Sequence, residues 1–273
     1  MPSTTPRPFP AHKSKAAFSS PLCKPPDTTI LEEVRTRDHS ELALRAFGAK
    51  LTRTSGSISI TGPQPLHAID AAVPGDLSSA AFFLCAAALF PGSSLVLDSI
   101  GLNPTRATLL DVLTALGAHV AVLNIEEKHA ELVGTVQITA PPEGLGSTEV
   151  SGALAAQLID ELPVLAAIAP FTSGGIRIRG ARELRVKESD RIALVAKNLR
   201  AMGAEVVEFE DGLDVPGGKP STAQPSTLAA ITASPGLQRR GSARHRRHAH
   251  PGAESAAISF PEFFDLLDRV AER

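Results

Sequence analysis

The sequence predicts an α/β fold, and two observations carry that expectation. The first is an internal repeat: Leu42-Ala-Leu-Arg-Ala-Phe-Gly-Ala49, Leu110-Asp-Val-Leu-Thr-Ala-Leu-Gly-Ala118 and Val195-Ala-Lys-Asn-Leu-Arg-Ala-Met-Gly-Ala204 each read as an amphipathic helix that stops at Gly-Ala. The second is a β-like run directly after each copy: Lys50-Leu-Thr-Arg-Thr with Ser57-Ile-Ser-Ile60, Val120-Ala-Val-Leu with Val136-Gln-Ile-Thr139, and Glu205-Val-Val-Glu-Phe209. The unit is therefore helix, glycine turn, strand, strand. Its uneven spacing argues against a solenoid and for a few copies packed together.

Bulk properties agree with this and narrow the function little. A chain of 273 residues with 43 % apolar residues can bury a sizeable core. A net charge of −2 leaves no global footprint for nucleic acid or a membrane surface. Cys23 and Cys85 are too few and too far apart to suggest a disulfide framework or metal site, so a reducing cytoplasm is the expected setting. The apolar run Ala80 to Phe90 is shorter than the roughly 20 residues that span a bilayer, and reads as a buried helix.

Two stretches break the pattern. Residues 1 to 26 contain no acid and are crowded with Pro, Ser, Lys and Arg; residues 219 to 253 again lack acids and carry Arg239, Arg240, Arg244, Arg246 and Arg247. Linkers, a basic tail and, at the N-terminus, a transit peptide fit such composition, and both stretches are expected to be irregular. A nucleic-acid-binding tail is disfavoured because no aromatic residue interleaves the arginines. Translation out of frame also fits: with plausible GC-rich codons, Ile231-Thr-Ala-Ser234 re-reads as Asp-His-Arg-Ile.

Chemistry concentrates in Arg185-Val-Lys-Glu-Ser-Asp-Arg191 and Asp160-Glu-Leu-Pro163. After Arg191 the apolar positions Ile192, Val195, Ala196, Leu199 and Met202 recur at helical spacing, Ser189 or Asp190 can cap the start, and Gly203 suits the stop. Lys187, Glu188 and Arg191 therefore surround a helix N-terminus, where unpaired N–H groups and neighbouring cations favour phosphate or carboxylate. A solvated turn whose charges pair with one another reads the same string equally well. Asp160 lies between apolar runs, so it is expected partly buried at a helix start with Pro163 in the first turn, as an N-cap or as one of a pair of carboxylates of different acidity.

Together with Thr36-Arg-Asp-His-Ser-Glu-Leu-Ala-Leu-Arg-Ala-Phe-Gly48, Val73-Pro-Gly-Asp-Leu-Ser-Ser79 and Ile258-Ser-Phe-Pro-Glu-Phe263, these words, in this order, make the sequence similar to the enolpyruvyl transferases, and among them to the 5-enolpyruvylshikimate-3-phosphate synthases. The related UDP-N-acetylglucosamine enolpyruvyl transferases share the fold without the Val-Lys-Glu-Ser-Asp-Arg string. The resemblance implies two domains of βαβαββ units, an inside-out α/β barrel arrangement. On that mapping 27 to 70 is a remnant of the first domain and 71 to 273 the second, with 219 to 253 aberrant.

It also implies transfer of the enolpyruvyl group of phosphoenolpyruvate to the 5-hydroxyl of shikimate 3-phosphate by a cytoplasmic monomer, with no metal or organic cofactor. Asp160 resembles the proton acceptor for that hydroxyl and Glu188 its acid/base partner at the methylene carbon. Lys187, Arg191 and Arg37 resemble substrate-binding cations. The early Lys-Ser pair, the Ser-Ala-Gln word and the Asp-His-Arg word of the family are missing from the readable sequence, so an inactive remnant, or a chain completed by a separate first domain, is the alternative expectation.

Overall fold

The computed structural model describes residues 3–5, 27–31, 35–187, 189–218 and 260–271. Within 1 to 26, expected to be irregular, Ser3–Thr5 forms a short strand; the rest of that stretch, 219 to 253 and Glu188 lie outside the described residues.

All three copies of the repeat fold as the sequence predicts. Helix α1 (His39–Ala46) leads through Gly48, at φ 96°, into strands β3 (Leu51–Arg53) and β4 (Ser57–Thr61). Helix α3 (Thr108–Ala115) leads through Gly117, at φ 103°, into β6 (His119–Lys128) and β7 (Glu131–Thr139). Helix α6 (Arg191–Ala201) leads through Gly203, at φ 87°, into β10 (Val207–Phe209) and β11 (Gly212–Val215). Each glycine occupies the left-handed region that a side chain resists, so the helix ends there and the chain reverses. β11 was not read from the sequence, because Gly212-Leu-Asp-Val215 is short and opens on a strand-disfavouring residue.

The chain divides into two compact units. The first comprises Met1–Leu77, Leu97–Thr108 and Val122–Val136; the second Ser78–Val96, Leu109–Ala121 and Gln137–Arg273. In the first, a four-stranded sheet runs in the order β1 (Ser3–Thr5), β2 (Asp27–Leu31), β4, β3, with β1 parallel to β2 and the other pairs antiparallel. Leu44, Ala49 and Ile58 form its core, with Ile30, Leu51 and Ile60 packed on them.

The second unit contains α2 (Leu77–Leu89) from Ser78 onward, which covers the predicted apolar run, and a sheet in the order β10, β11, β9 (Ile176–Ile178), β8 (Thr148–Val150). β8 and β9 are parallel, and the other pairs antiparallel. Gly212 allows β11 to approach β9, since a Cβ there would overlap the carbonyl of Ile178. Helices α4 (Gly152–Gln157) and α5 (Leu162–Ile168) succeed one another across a tight turn, and α5 packs on α6 and β9 with Leu162, Val164, Leu165 and Ile168 all buried. Phe82, Phe83, Phe260, Phe263 and Phe264 join α2 to the start of α7 (Phe263–Ala271) through edge-on and tilted ring contacts, with ring centroids 5.2–6.0 Å apart. The third sheet has the order β5 (Ser94–Gly101), β7, β6.

Candidate functional site

The turn between α4 and α5, residues 158 to 161, is built from apolar sequence interrupted by two acids. Its backbone closes through the N–H groups of Glu161 and Leu162, both donating to the carbonyl of Leu158. Asp160 is half-buried within this turn, while the N-cap position of α5 falls to Glu161, which makes no side-chain capping bond. The N-cap expectation for Asp160 is thus off by one residue. Pro163 sits in the first turn of α5, as expected.

Asp160 faces α6. Lys187 Nζ donates to Asp160 Oδ1 at 2.7 Å, and the Arg191 guanidinium approaches the same oxygen at 3.4 Å. The Lys187 side chain is only 11 % exposed and that of Asp160 25 %, so this is more sheltered than a surface ion pair of negligible consequence. An apolar crevice bordered by Leu162, Pro163, Ile192 and Val195 runs beside Arg191. Three of the five predicted site residues, Asp160, Lys187 and Arg191, therefore share one locus. Arg37 is half-buried in the first unit, in the loop before α1, and Glu188 lies outside the described residues.

Asp190 and Arg185 hold the motif in place. Asp190 caps α6, accepting from the Ala193 N–H at 3.0 Å. Burial pushes its carboxyl up, but that N–H and Arg185 outweigh burial and hold it below the usual carboxylate range. Arg185 NH1 donates to both Asp190 oxygens, at 3.1 and 2.9 Å, and to Glu208 at 2.8 Å; its Nε donates to the Glu210 carbonyl at 3.1 Å. It ties the start of α6 to the β10–β11 hairpin and thereby fixes where Lys187 and Arg191 stand.

The burial of two acids escaped the sequence reading. Glu161 is buried, 1 % exposed, and its Oε1 accepts a hydrogen bond from Ser78 Oγ in the first turn of α2. In the first unit, buried Asp38 accepts from Arg35 at 2.9 Å, Asn103 at 2.8 Å and Thr105 at 3.2 Å, and Asn103 also donates to Glu131 at 3.1 Å. Both acids stand inside the family-like motifs, next to a candidate residue, but nothing local distinguishes a buried acid from an exposed one. Among the described residues no group of three or more metal-ligating side chains could hold an ion, and no helix is long and apolar enough to cross a membrane.

The chain matches the family model of EPSP synthase (3-phosphoshikimate 1-carboxyvinyltransferase) over residues 12–267. It is 53 % identical over 252 residues to the 3-phosphoshikimate 1-carboxyvinyltransferase of Koribacter versatilis (strain Ellin345), covering 90 % of this chain and 57 % of that protein. To the 3-phosphoshikimate 1-carboxyvinyltransferase of Solibacter usitatus (strain Ellin6076) it is 43 % identical, covering 90 % and 58 %. The chain thus spans somewhat over half the length of these relatives. An EPSP synthase structure from Acinetobacter baumannii superposes with a TM-score of 0.78 at 30 % identity, over 99 % of this chain and 62 % of that one. The enolpyruvyl transferase NikO from Streptomyces tendae, at 21 % identity and a TM-score of 0.56 over 76 % of this chain and 48 % of that one, shares the fold. A repeat of helix, glycine turn and paired strands, an anion-favouring helix start and a match along nearly the whole sequence lead to one conclusion: this chain belongs to the EPSP synthase family.

Proposed function

We propose that Asp160, Lys187 and Arg191 form part of a site that transfers the enolpyruvyl group of phosphoenolpyruvate to the 5-hydroxyl of shikimate 3-phosphate. The observation that carries the reading is the single carboxylate oxygen of Asp160 shared by Lys187 Nζ at 2.7 Å and Arg191 at 3.4 Å, in a chain of this family. A carboxylate between two cations at a helix start can serve two anionic substrates. The cations move on to phosphate and carboxylate groups as these arrive, and the carboxylate turns to accept the proton of the attacking hydroxyl. Glu188, next in sequence to Lys187, is assigned the proton at the methylene carbon, and Arg37 the shikimate phosphate. Addition gives a tetrahedral intermediate; loss of phosphate completes the transfer. We assign 71 to 273 to the family's second domain and 27 to 70 to the first, and place the protein in the cytoplasm.

A second reading, a chain that has this locus but does not turn over by itself, is favoured by the 57 % coverage of the Koribacter relative. Substrates must be held between positioned groups for the reaction to run. Phosphate release should therefore be monitored with both substrates present, using the chain alone and using it together with the part of the Koribacter relative that lies outside the matched span. The mixture is expected to turn over, and Asp160→Asn is expected to lower that rate by roughly a hundredfold or more, the range for a lost acid/base group. Turnover by the chain alone would overturn the second reading; turnover insensitive to Asp160→Asn and Glu188→Gln would overturn the site.

A further inference from the structure

We propose that Glu161 is the positioning residue for Asp160: by anchoring on Ser78 in the first turn of α2, it clamps the α4–α5 turn in the one orientation that presents Asp160 to Lys187. The inference rests on Asp160 being the reacting carboxylate of the transferase site, and extends that reading to how the group is held.

The geometry begins with the turn. Residues 158 to 161 are held at one end by the N–H groups of Glu161 and Leu162 on the Leu158 carbonyl, at 2.8 and 2.9 Å, and continue into α5 through the Leu165 N–H on the Glu161 carbonyl at 3.1 Å. These bonds define a turn but do not choose which of its two acids points inward. The side chains make that choice. Glu161 is 1 % exposed and reaches Ser78 Oγ, 83 residues away, whereas Asp160 is 25 % exposed at its side chain and reaches Lys187.

Glu161 packs its carboxyl against the start of α2. Ser78 lies in the first turn of a thirteen-residue helix, the end where the helix dipole stabilises negative charge. The charge of Glu161 reaches the next turns of α2 as well, since the fully buried Cys85 thiol is pushed up to about 12, first by burial and second by Glu161. A buried acid at this place imposes one rotamer on the turn. Without that anchor, the turn that carries Asp160 would have only its backbone bonds to hold it.

The clamp predicts a pattern in the reactivity of Lys187 that needs no turnover, so its outcome is separate from that of the transferase assay. In the intact full chain, trace acetylation of each lysine is measured by mass spectrometry, with exposed Lys50 and Lys197 as internal references. Lys187 should label more slowly than either, and Asp160→Asn should raise its rate roughly fivefold, about what a single ion pair is worth. Ser78→Ala and Glu161→Ala should each give a similar rise with Lys50 and Lys197 unchanged. Their combination should exceed neither, as expected for two partners of one contact. Ser78→Thr, which keeps the hydroxyl, should restore the slow rate. If Glu161→Ala unfolds the chain, Lys187 labels as fast as the exposed references and Ser78→Ala decides alone. Lys187 protected as in wild type in a folded Ser78→Ala protein, while Asp160→Asn exposes it, overturns the clamp.

Discussion

Two buried carboxylates, Asp38 in the first unit and Glu161 in the second, each stand beside a residue assigned to the site, Arg37 and Asp160, yet they are held in opposite ways. Asp38 accepts from a guanidinium, an amide and a hydroxyl. Burial alone would raise its carboxyl, but the bonds from Arg35, Asn103 and Thr105 outweigh burial and lower it. Glu161 accepts from the Ser78 hydroxyl and, after burial, adds to the upward push on the buried Cys85 thiol. The difference teaches what a buried acid does to its surroundings. Where cationic and amide donors converge on it, the acid makes stability sensitive to low pH; where its field reaches a buried thiol, it contributes to sensitivity at high pH.

The largest expected effect separates the two acids at the acid end. Asp38→Ala takes an acceptor from Asn103 and Thr105, both nearly inaccessible, and should cost about 3 kcal/mol at pH 7 in urea unfolding. Because the folded-state value of Asp38 is depressed, its contribution is present above about pH 4 and is lost as pH falls through the folded value. Wild type and variant should draw together as pH falls further. A difference that persists unchanged into acid would show that packing, not charge, holds the Asp38 cluster.

A smaller effect belongs to Asp190, a carboxylate of the same depressed kind at a partly open helix start. Asp190→Ala should cost about 1 kcal/mol, the usual worth of an N-cap, and again the difference should fade below about pH 4. Asp190→Asn, which keeps an acceptor for the Ala193 N–H, should recover most of the loss. Equal losses for Ala and Asn would shift the credit from the cap to the Arg185 pair.

The smallest effect lies at the alkaline end and concerns Glu161 through Cys85. A thiol raised to about 12 stabilises the fold fully below its unfolded value and loses that contribution as pH rises through the folded one. Wild-type stability should therefore decline between about pH 9 and 12, and Cys85→Ala should flatten that decline. Glu161→Gln should flatten it only in part, since burial is the larger cause. Complete flattening by Glu161→Gln would make the charge, not burial, the source of the shift.

Much of this molecule is written in short-range pattern. Apolar spacing of about 3.6 residues, a glycine able to take positive φ and a β-rich run after it are local properties, so α1, α3 and α6, their Gly48, Gly117 and Gly203 stops and most of their strands are legible in the chain itself. A cap at Ser189 or Asp190 and the anion-favouring start of α6 are legible in the same way, because a helix N-terminus needs only its neighbours to be recognised, while the choice of Asp190 is not. The identity of the buried acid in Asp160-Glu161 is not, nor is the use of Arg185 as a brace between α6 and the β10–β11 hairpin. Nor is the joining of Asp38 to Asn103, 65 residues away. These depend on which donor arrives from a distant part of the chain and on whether water is excluded there. A carboxylate costs little in water and is costly to bury without partners, so its role is decided only when packing has chosen its surroundings.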